Sequence, residues 1–247
     1  MFILNKVRQA VILAAGMGTR LKPVTLETPK PLIEVNGVRM IDTIISSLHQ
    51  NNINEIYIVV GYLKGKFESL LTKYPDIQLI DNPYYDTCNN ISSLYVAREH
   101  LQNAIILDAD QMIYNSGILN PYFDKSGYNC VWTDEYTDEW LLKVDKNNTI
   151  KECSRIGGKC GWQLYSISRW NKKDGEKLKK YLEYEFIDKK NTQIYWDDIA
   201  IFCHPEEFDL TIYEMNKLDI KEIDNLDELI LLDNSYLEYK KEGKNEK

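Results

Sequence analysis

Through the first half of the chain, short unbroken apolar runs alternate with stretches whose apolar residues recur every three or four positions. Val11-Ile12-Leu13 is the first run, and its lack of polar alternates predicts a strand buried on both faces. Met40, Ile41, Ile44, Ile45 and Leu48 follow with the spacing of an amphipathic helix. The two signatures then repeat. Ile56 to Val60 reads as a strand stopped by Gly61, and Phe67, Leu70 and Leu71 as a helix. Ile77, Leu79 and Ile80 read as a third strand, Ile91, Leu94, Tyr95 and Leu101 as a helix, and Ala104 to Leu107 as a fourth strand. Repeated strand–helix units of this kind predict an α/β fold, a Rossmann-like sheet with helices on both faces.

The second half is patterned differently. Segments near 128–133, 140–145, 149–153 and 162–167 are short and set between Asp, Asn and Gly turns, which predicts strands and hairpins forming a small β-rich substrate-binding part. A charged helix is expected over 174–186 with Leu178, Tyr181 and Leu182 inward, and another over about 225–240 with Asp224 as a candidate N-cap. We expect one domain over 1–240 and a charged, disordered tail over 241–247.

Composition narrows the partners. The net charge of −8 over 247 residues argues against duplex nucleic acid or an anionic membrane, and no apolar run reaches the ~20 residues of a membrane-spanning helix. The N-terminal AVILAA run is too short for a signal peptide, so a cytoplasmic protein is expected. Five scattered cysteines and three dispersed histidines show no C-x-x-C pair or metal-ligand spacing, so neither a disulfide framework nor a zinc site follows.

The first strand runs into Gly16-Met17-Gly18-Thr19-Arg20. A glycine turn after a buried strand brings backbone N–H groups close to a phosphate. The dinucleotide pattern G-x-G-x-x-G fails because Leu21 holds the third glycine position, and the chain has no Walker A run. What remains is G-x-G-T-R-L-x-P-x-T-x-x-x-P-K-P-L, carried by Gly16, Gly18, Thr19, Arg20, Pro23, Thr25, Pro29, Lys30 and Leu32. Arg20 suits multidentate phosphate contact, and Lys30 is a second cation on a segment stiffened by Pro29 and Pro31. This pattern resembles the signature of the sugar-phosphate nucleotidyltransferases, often called pyrophosphorylases. The one departure is Arg39-Met40 where such enzymes often carry Pro before the next helix. The resemblance implies the nucleotide-diphospho-sugar transferase type of sheet, with Arg20 and Lys30 catalytic and the nucleobase lying against Ala14 and Ala15.

Transfer chemistry of this kind calls for a divalent cation, expected as Mg²⁺, held by oxygen ligands. Asp110 in Leu107-Asp108-Ala109-Asp110 ends the fourth strand, where ligands of open parallel sheets gather. The resemblance makes Asp110 a metal ligand and Asp108 its neighbour on the nucleotide side. The second ligand is Asp224 in KEID, with Asp197 or Asp198 in YWDD as alternatives.

A narrower resemblance lies in YYDTCNNISSLYVA at 84–97, DEW at 138–140 and YWDD at 195–198. These are similar to the bacterial CTP:phosphocholine cytidylyltransferases. Asn89, Asn90 and Ser92 are then nucleotide-binding candidates, the amides being able to bond a base edge or ribose; a turn with a helix cap is the other reading of Asn89-Asn90. Choline is held by aromatic faces and nearby acids, and this chain offers Trp140 beside Glu139 and Tyr195-Trp196 beside Asp197. Burial of both tryptophans in the core is the alternative. Lys159 is a candidate for the acceptor phosphate. The implied reaction is CTP plus phosphocholine to CDP-choline plus pyrophosphate, serving cell-surface polysaccharide biosynthesis. 2-Aminoethylphosphonate is the rival acceptor, and sugar-1-phosphate a more distant one. Expected partners are CTP, a small zwitterionic phosphate or phosphonate, and a second copy of the chain in a homodimer.

Overall fold

A computed structural model describes residues 4–242; most of the expected charged tail lies outside them. The expected first-half strands form as β1 (Gln9–Ala14), β2 (Glu55–Val60), β3 (Ile77–Asp81) and β4 (Ala104–Asp108), all parallel in the order β4-β1-β2-β3. Strand β1 is buried on both sides, as its unbroken apolar run requires. Ala10, Ile12 and Ala14 pack into one core with Ile41, Ile44 and Leu48 of helix α1 (Met40–Gln50). Val11 and Leu13 pack into the opposite core with Ile91 and Leu94 of helix α3 (Ile91–Val96). The intervening helix, α2 (Glu68–Lys73), follows a short 3₁₀ turn that ends at Phe67.

After β4 the chain adds β5 (Gln111–Ile113), β6 (Gly127–Thr133), β7 (Leu141–Val144), β8 (Ile150–Ser154), β9 (Gly161–Trp170), β10 (Thr211–Glu214) and β11 (Ile220–Glu222). The β-rich part is continuous with the main sheet. The long strand β9 carries β6 on one edge and divides its other edge in two: Ile167 to Trp170 pair antiparallel with β4, whereas Trp162 and Gln163 pair with β7. A gap opens between the carboxyl end of β4 and the start of β7. Asp108 and Asp110 face that gap, as do Leu164 and Ser166 of β9.

Two helix expectations shift. The charged helix α4 covers Lys172–Glu183, capped by Asn171, and continues as a π-helical turn over Tyr184–Asp188. Leu178 and Leu182 are buried as expected, and Tyr181 is partly buried, stacked 4.0 Å from the His204 ring. The last helix is broken into α5 (Leu226–Leu232), a 3₁₀ turn and α6 (Leu237–Glu242). Asp233 is extended at the break, where its side chain accepts from Ser235 N and Asn36 N. The N-cap of α5 is Asn225, not Asp224: Asn225 Oδ1 accepts from Glu228 N at 3.0 Å, and Glu228 returns a bond to Asp224 N at 2.7 Å. The Asp224 carboxylate is therefore free for other work. Leu229 of α5 joins Leu21, Ile33, Met40, Met112 and Ile223 in a third core that ties the glycine loop to the chain end. Among the described residues no helix is long and apolar enough to cross a membrane.

Because Asn225 supplies the cap, Asn225→Ala should lower unfolding free energy by about 1 kcal/mol in urea denaturation. Asp224→Ala, which touches no cap, should leave the helix-end contribution intact.

Candidate active site

The glycine loop is shaped by what surrounds it. Gly18 has φ +59°, and a Cβ there would stand 3.0 Å from Thr25 Cγ2 and 3.1 Å from Lys30 Cβ. Glycine meets both demands, conformation and space. The Thr25 hydroxyl fixes the loop by donating to Gly18 O at 2.9 Å. A Cβ on Gly16 would meet nothing within 4 Å, so the loop backbone is open to an incoming group there. The loop, with Ala14, Ala15, Gly16, Gly18, Thr19 and Arg20, forms one wall of a cleft of about 350 Å³. Asn89, Asn90, Asp108 and Asp110 line the same cleft.

Lys30 also lines it. It starts a 3₁₀ turn set by Pro29 and Pro31, and its side chain is 11% exposed. Its Nζ is 2.9 Å from Asp110 Oδ2 and 3.3 Å from Asp224 Oδ1, while Arg20 Nη2 is 2.6 Å from the same Asp224 oxygen. Burial alone would lower the Lys30 pKa, but the charges of Asp110, Asp224 and Glu222 outweigh it and hold it above the ordinary lysine value. Sequence motif and structure agree on bringing Arg20, Lys30, Asp110 and Asp224 together.

Glu222 completes this group and was not expected from the sequence. Strand β11 pairs antiparallel with β5, placing Glu222 opposite Gln111 and so beside Asp110. One carboxylate oxygen each from Asp110, Glu222 and Asp224 lie within 4.8 Å of one another. Asp110 Oδ1 is buried with no hydrogen-bond partner. Three hard oxygen donors, one of them orphaned, fit a divalent cation; Asp197 and Asp198 lie outside the set. The carboxyls crowd one another. Burial and then the Asp110 charge push Asp108 up to about 7, with a Ser166 hydrogen bond opposing. Burial, Asp110 and Asp224 raise Glu222 well above the usual carboxylate range.

A second cleft of about 360 Å³ adjoins the first across Arg20, Asn90, Asp108, Asp110 and Asp224. Its walls carry Glu139, Trp140, Tyr195, Asp197 and Glu222. The Trp140 and Tyr195 rings meet edge to face, 5.7 Å between centroids. Burial and then Asp224 raise the Glu139 pKa, and burial and then Asp108 push Asp197 well above the usual carboxylate range.

Three expected residues fall elsewhere. Trp196 is wholly buried, 6.0 Å from the Tyr128 ring and 6.4 Å from Trp170, so it belongs to the core rather than to an aromatic cage. Ser92 turns away, accepting from Asn82 Nδ2 and donating to Asn89 O; the next residue, Ser93, lines the cleft instead. Lys159 is exposed in the Gly157-Gly158 turn and lines neither cleft. The helix-cap reading of the asparagines does not hold: Asn90 precedes α3, but its side chain makes no capping bond. Asn89 and Asn90 line the first cleft, and they also hold the loop over 193–196, Asn89 Nδ2 donating to Gln193 O and Asn90 Oδ1 accepting from Trp196 N.

The nucleotidyl transferase family model matches residues 9–122. A 2-aminoethylphosphonate cytidylyltransferase of Lancefieldella rimae is 34% identical over 92% of this chain and 93% of its own length. The chain belongs to the nucleotidyltransferases, among their cytidylyltransferases. The choline-phosphate cytidylyltransferase of Streptococcus pneumoniae is also 34% identical, over 88% of this chain and 93% of its own. The solved CTP:phosphocholine cytidylyltransferase of S. pneumoniae superposes with a TM-score of 0.84 at 32% identity, covering 93% of this chain and 99% of that one. The α/β nucleotidyltransferase fold expected from the sequence is thereby shown.

For this nucleotidyltransferase, Glu222→Gln should weaken Mn²⁺ binding at least about tenfold by titration calorimetry. Wild-type binding should tighten from pH 6 to 8, because carboxyls held above their usual range must lose protons to bind a cation. Equal affinity in the variant would remove Glu222 from the ligand set.

Proposed function

We propose that the protein transfers CMP from CTP to a small acceptor carrying both an anionic phosphorus group and a cationic nitrogen, releasing pyrophosphate. The observation that carries this reading is the junction of the two clefts. Arg20, Lys30 and the Asp110–Glu222–Asp224 group stand where a nucleotide bound along the glycine loop would meet an acceptor held by Trp140, Tyr195, Glu139 and Asp197.

An acceptor phosphorus oxygen attacks the α-phosphorus in line, and the bond to the β-phosphate oxygen breaks. The attacking acceptor oxygen is already anionic near neutral pH, so no side chain need take its proton. Catalysis is then positioning and charge stabilisation. Loop N–H groups around Gly16 and Gly18 bind triphosphate oxygens. Lys30, pinned and almost buried, meets the charge that develops on the leaving pyrophosphate. Arg20, whose side chain is 68% exposed, reaches the outer phosphates. A Mg²⁺ ion held by Asp110, Glu222 and Asp224 would supply further positive charge against the phosphate oxygens.

Two acceptors suit the second cleft. The Trp140–Tyr195 ring pair supports phosphocholine, whose trimethylammonium is bound by aromatic faces and acids. The loss of Trp196 to the core, with Glu139 and Asp197 remaining in the cleft, supports 2-aminoethylphosphonate, a donor to carboxylates.

The test is pyrophosphate release with CTP and Mg²⁺ in the presence of each acceptor. Lys30→Ala should lower kcat at least about a hundredfold. Turnover left intact in that variant would remove Lys30 from the reaction.

A further inference from the structure

Arg155 follows strand β8 and lies in no recognisable motif. Its guanidinium carbon stands 4.0 Å from the centroid of the Phe202 ring and 5.5 Å from that of Trp140. Its Nη2 is 2.7 Å from Asp198 Oδ1, on a carboxylate whose side chain is only 1% exposed. The other Asp198 oxygen accepts from Tyr195 N at 3.0 Å. Phe202 in turn meets the Trp140 ring edge to face at 5.4 Å. Trp140 and Tyr195 line the acceptor cleft, whereas Arg155, Phe202 and Asp198 do not. The guanidinium therefore reaches Trp140 from outside the cleft. The chain has placed a cation of its own against Trp140 and Phe202, and against one of the two adjacent acids of the Asp197-Asp198 step.

We propose that Arg155 sets the acceptor preference of the cleft, towards a nitrogen that carries N–H groups and away from a quaternary ammonium. This rests on the cytidylyl-transfer reading above. An aromatic face attracts a cation through its electron density. A guanidinium against Trp140 and Phe202 draws on that density and repels a second cation brought to the cleft side of the indole. Trp196 offers no replacement face, being buried. Asp198 is neutralised by Arg155 and occupied by Tyr195 N. The cleft keeps the carboxyl groups of Glu139 and Asp197, and Asp197 Oδ1 is buried without a partner. These groups accept hydrogen bonds from a primary ammonium. A trimethylammonium has no N–H to give them.

The test uses two matched pairs of acceptors differing only in N-methylation. They are phosphoethanolamine with phosphocholine, and 2-aminoethylphosphonate with its N-trimethyl analogue. Pyrophosphate release with CTP and Mg²⁺ is compared for wild type, Arg155→Met, and Arg155→Met combined with Asp198→Asn. The double variant leaves no buried carboxylate stranded and keeps an acceptor for Tyr195 N; its thermal midpoint checks that it folds. Wild type should favour the primary amine within a pair. Both variants should shift the kcat/KM ratio towards the quaternary member by roughly three- to tenfold, with KM for CTP unchanged within about twofold. A wild-type preference for the quaternary member, or a ratio unmoved in the folded double variant, would overturn the role of Arg155 and leave cytidylyl transfer standing. Silence of the wild type with all four acceptors would overturn the transfer reading, and the Arg155 assignment with it.

Discussion

A single lysine ammonium, nearly shut off from water, holds two carboxylates from distant parts of the chain. Lys30 comes from the loop after β1, Asp110 from the end of β4, and Asp224 from the step into the last helices. Like charges of Asp108, Asp110, Glu222 and Asp224 would otherwise crowd a poorly solvated corner, and burying them unpaired would be costly. Burial first, and the Asp110 charge second, raise both Asp108 and Glu222 there. The pairing cations come from the same short motif. The charge group that would serve the nucleotide is also what fastens the loop to the sheet, and the third apolar core, from Leu21 to Leu229, backs it from behind.

The position of this group follows from the topology. Strand β9 is longer than the strands it joins, and its edge passes from β4 to β7. The two partners do not meet, and the gap between them lies at the carboxyl ends of the parallel strands. Ligands of open α/β sheets occupy such crevices because main-chain groups and loop side chains converge there. In the proposed reaction the nucleotide side would be built on the parallel half and the acceptor side on the antiparallel half. Asn89 and Asn90 link them by bonding the loop that carries Tyr195 and Asp197.

Most of the parallel half was legible in the sequence, because solid apolar runs and a long spaced motif are local signals. The glycine-loop motif marked Arg20 and Lys30, the end of the fourth strand marked Asp110, and the resemblance favoured Asp224 over Asp197 or Asp198. Glu222 was not legible: it joins the site only through the pairing of β11 with β5, a long-range contact with no local mark. Trp196 failed for another reason. In Tyr195-Trp196-Asp197-Asp198 adjacent side chains leave a tight turn in different directions, so chemical type alone did not say which ring faced the cleft. Ser92 against Ser93, and Asp224 against Asn225, are the same error of one residue at a helix start. Arg155 was missed because its partners, Trp140, Asp198 and Phe202, are assembled from segments that only the fold brings together.

The central claim is that Lys30 and its carboxylates act as one coupled unit in the nucleotide-free protein. A double-mutant cycle of Lys30→Met and Asp110→Asn, read by urea denaturation without ligand, measures that coupling directly. The account predicts an interaction energy of at least about 1 kcal/mol, with Asp110→Asn harmful in wild type and nearly harmless once Lys30 is gone. Effects that add to within about 0.3 kcal/mol would contradict it, and would reduce the contact to two side chains that happen to lie close together.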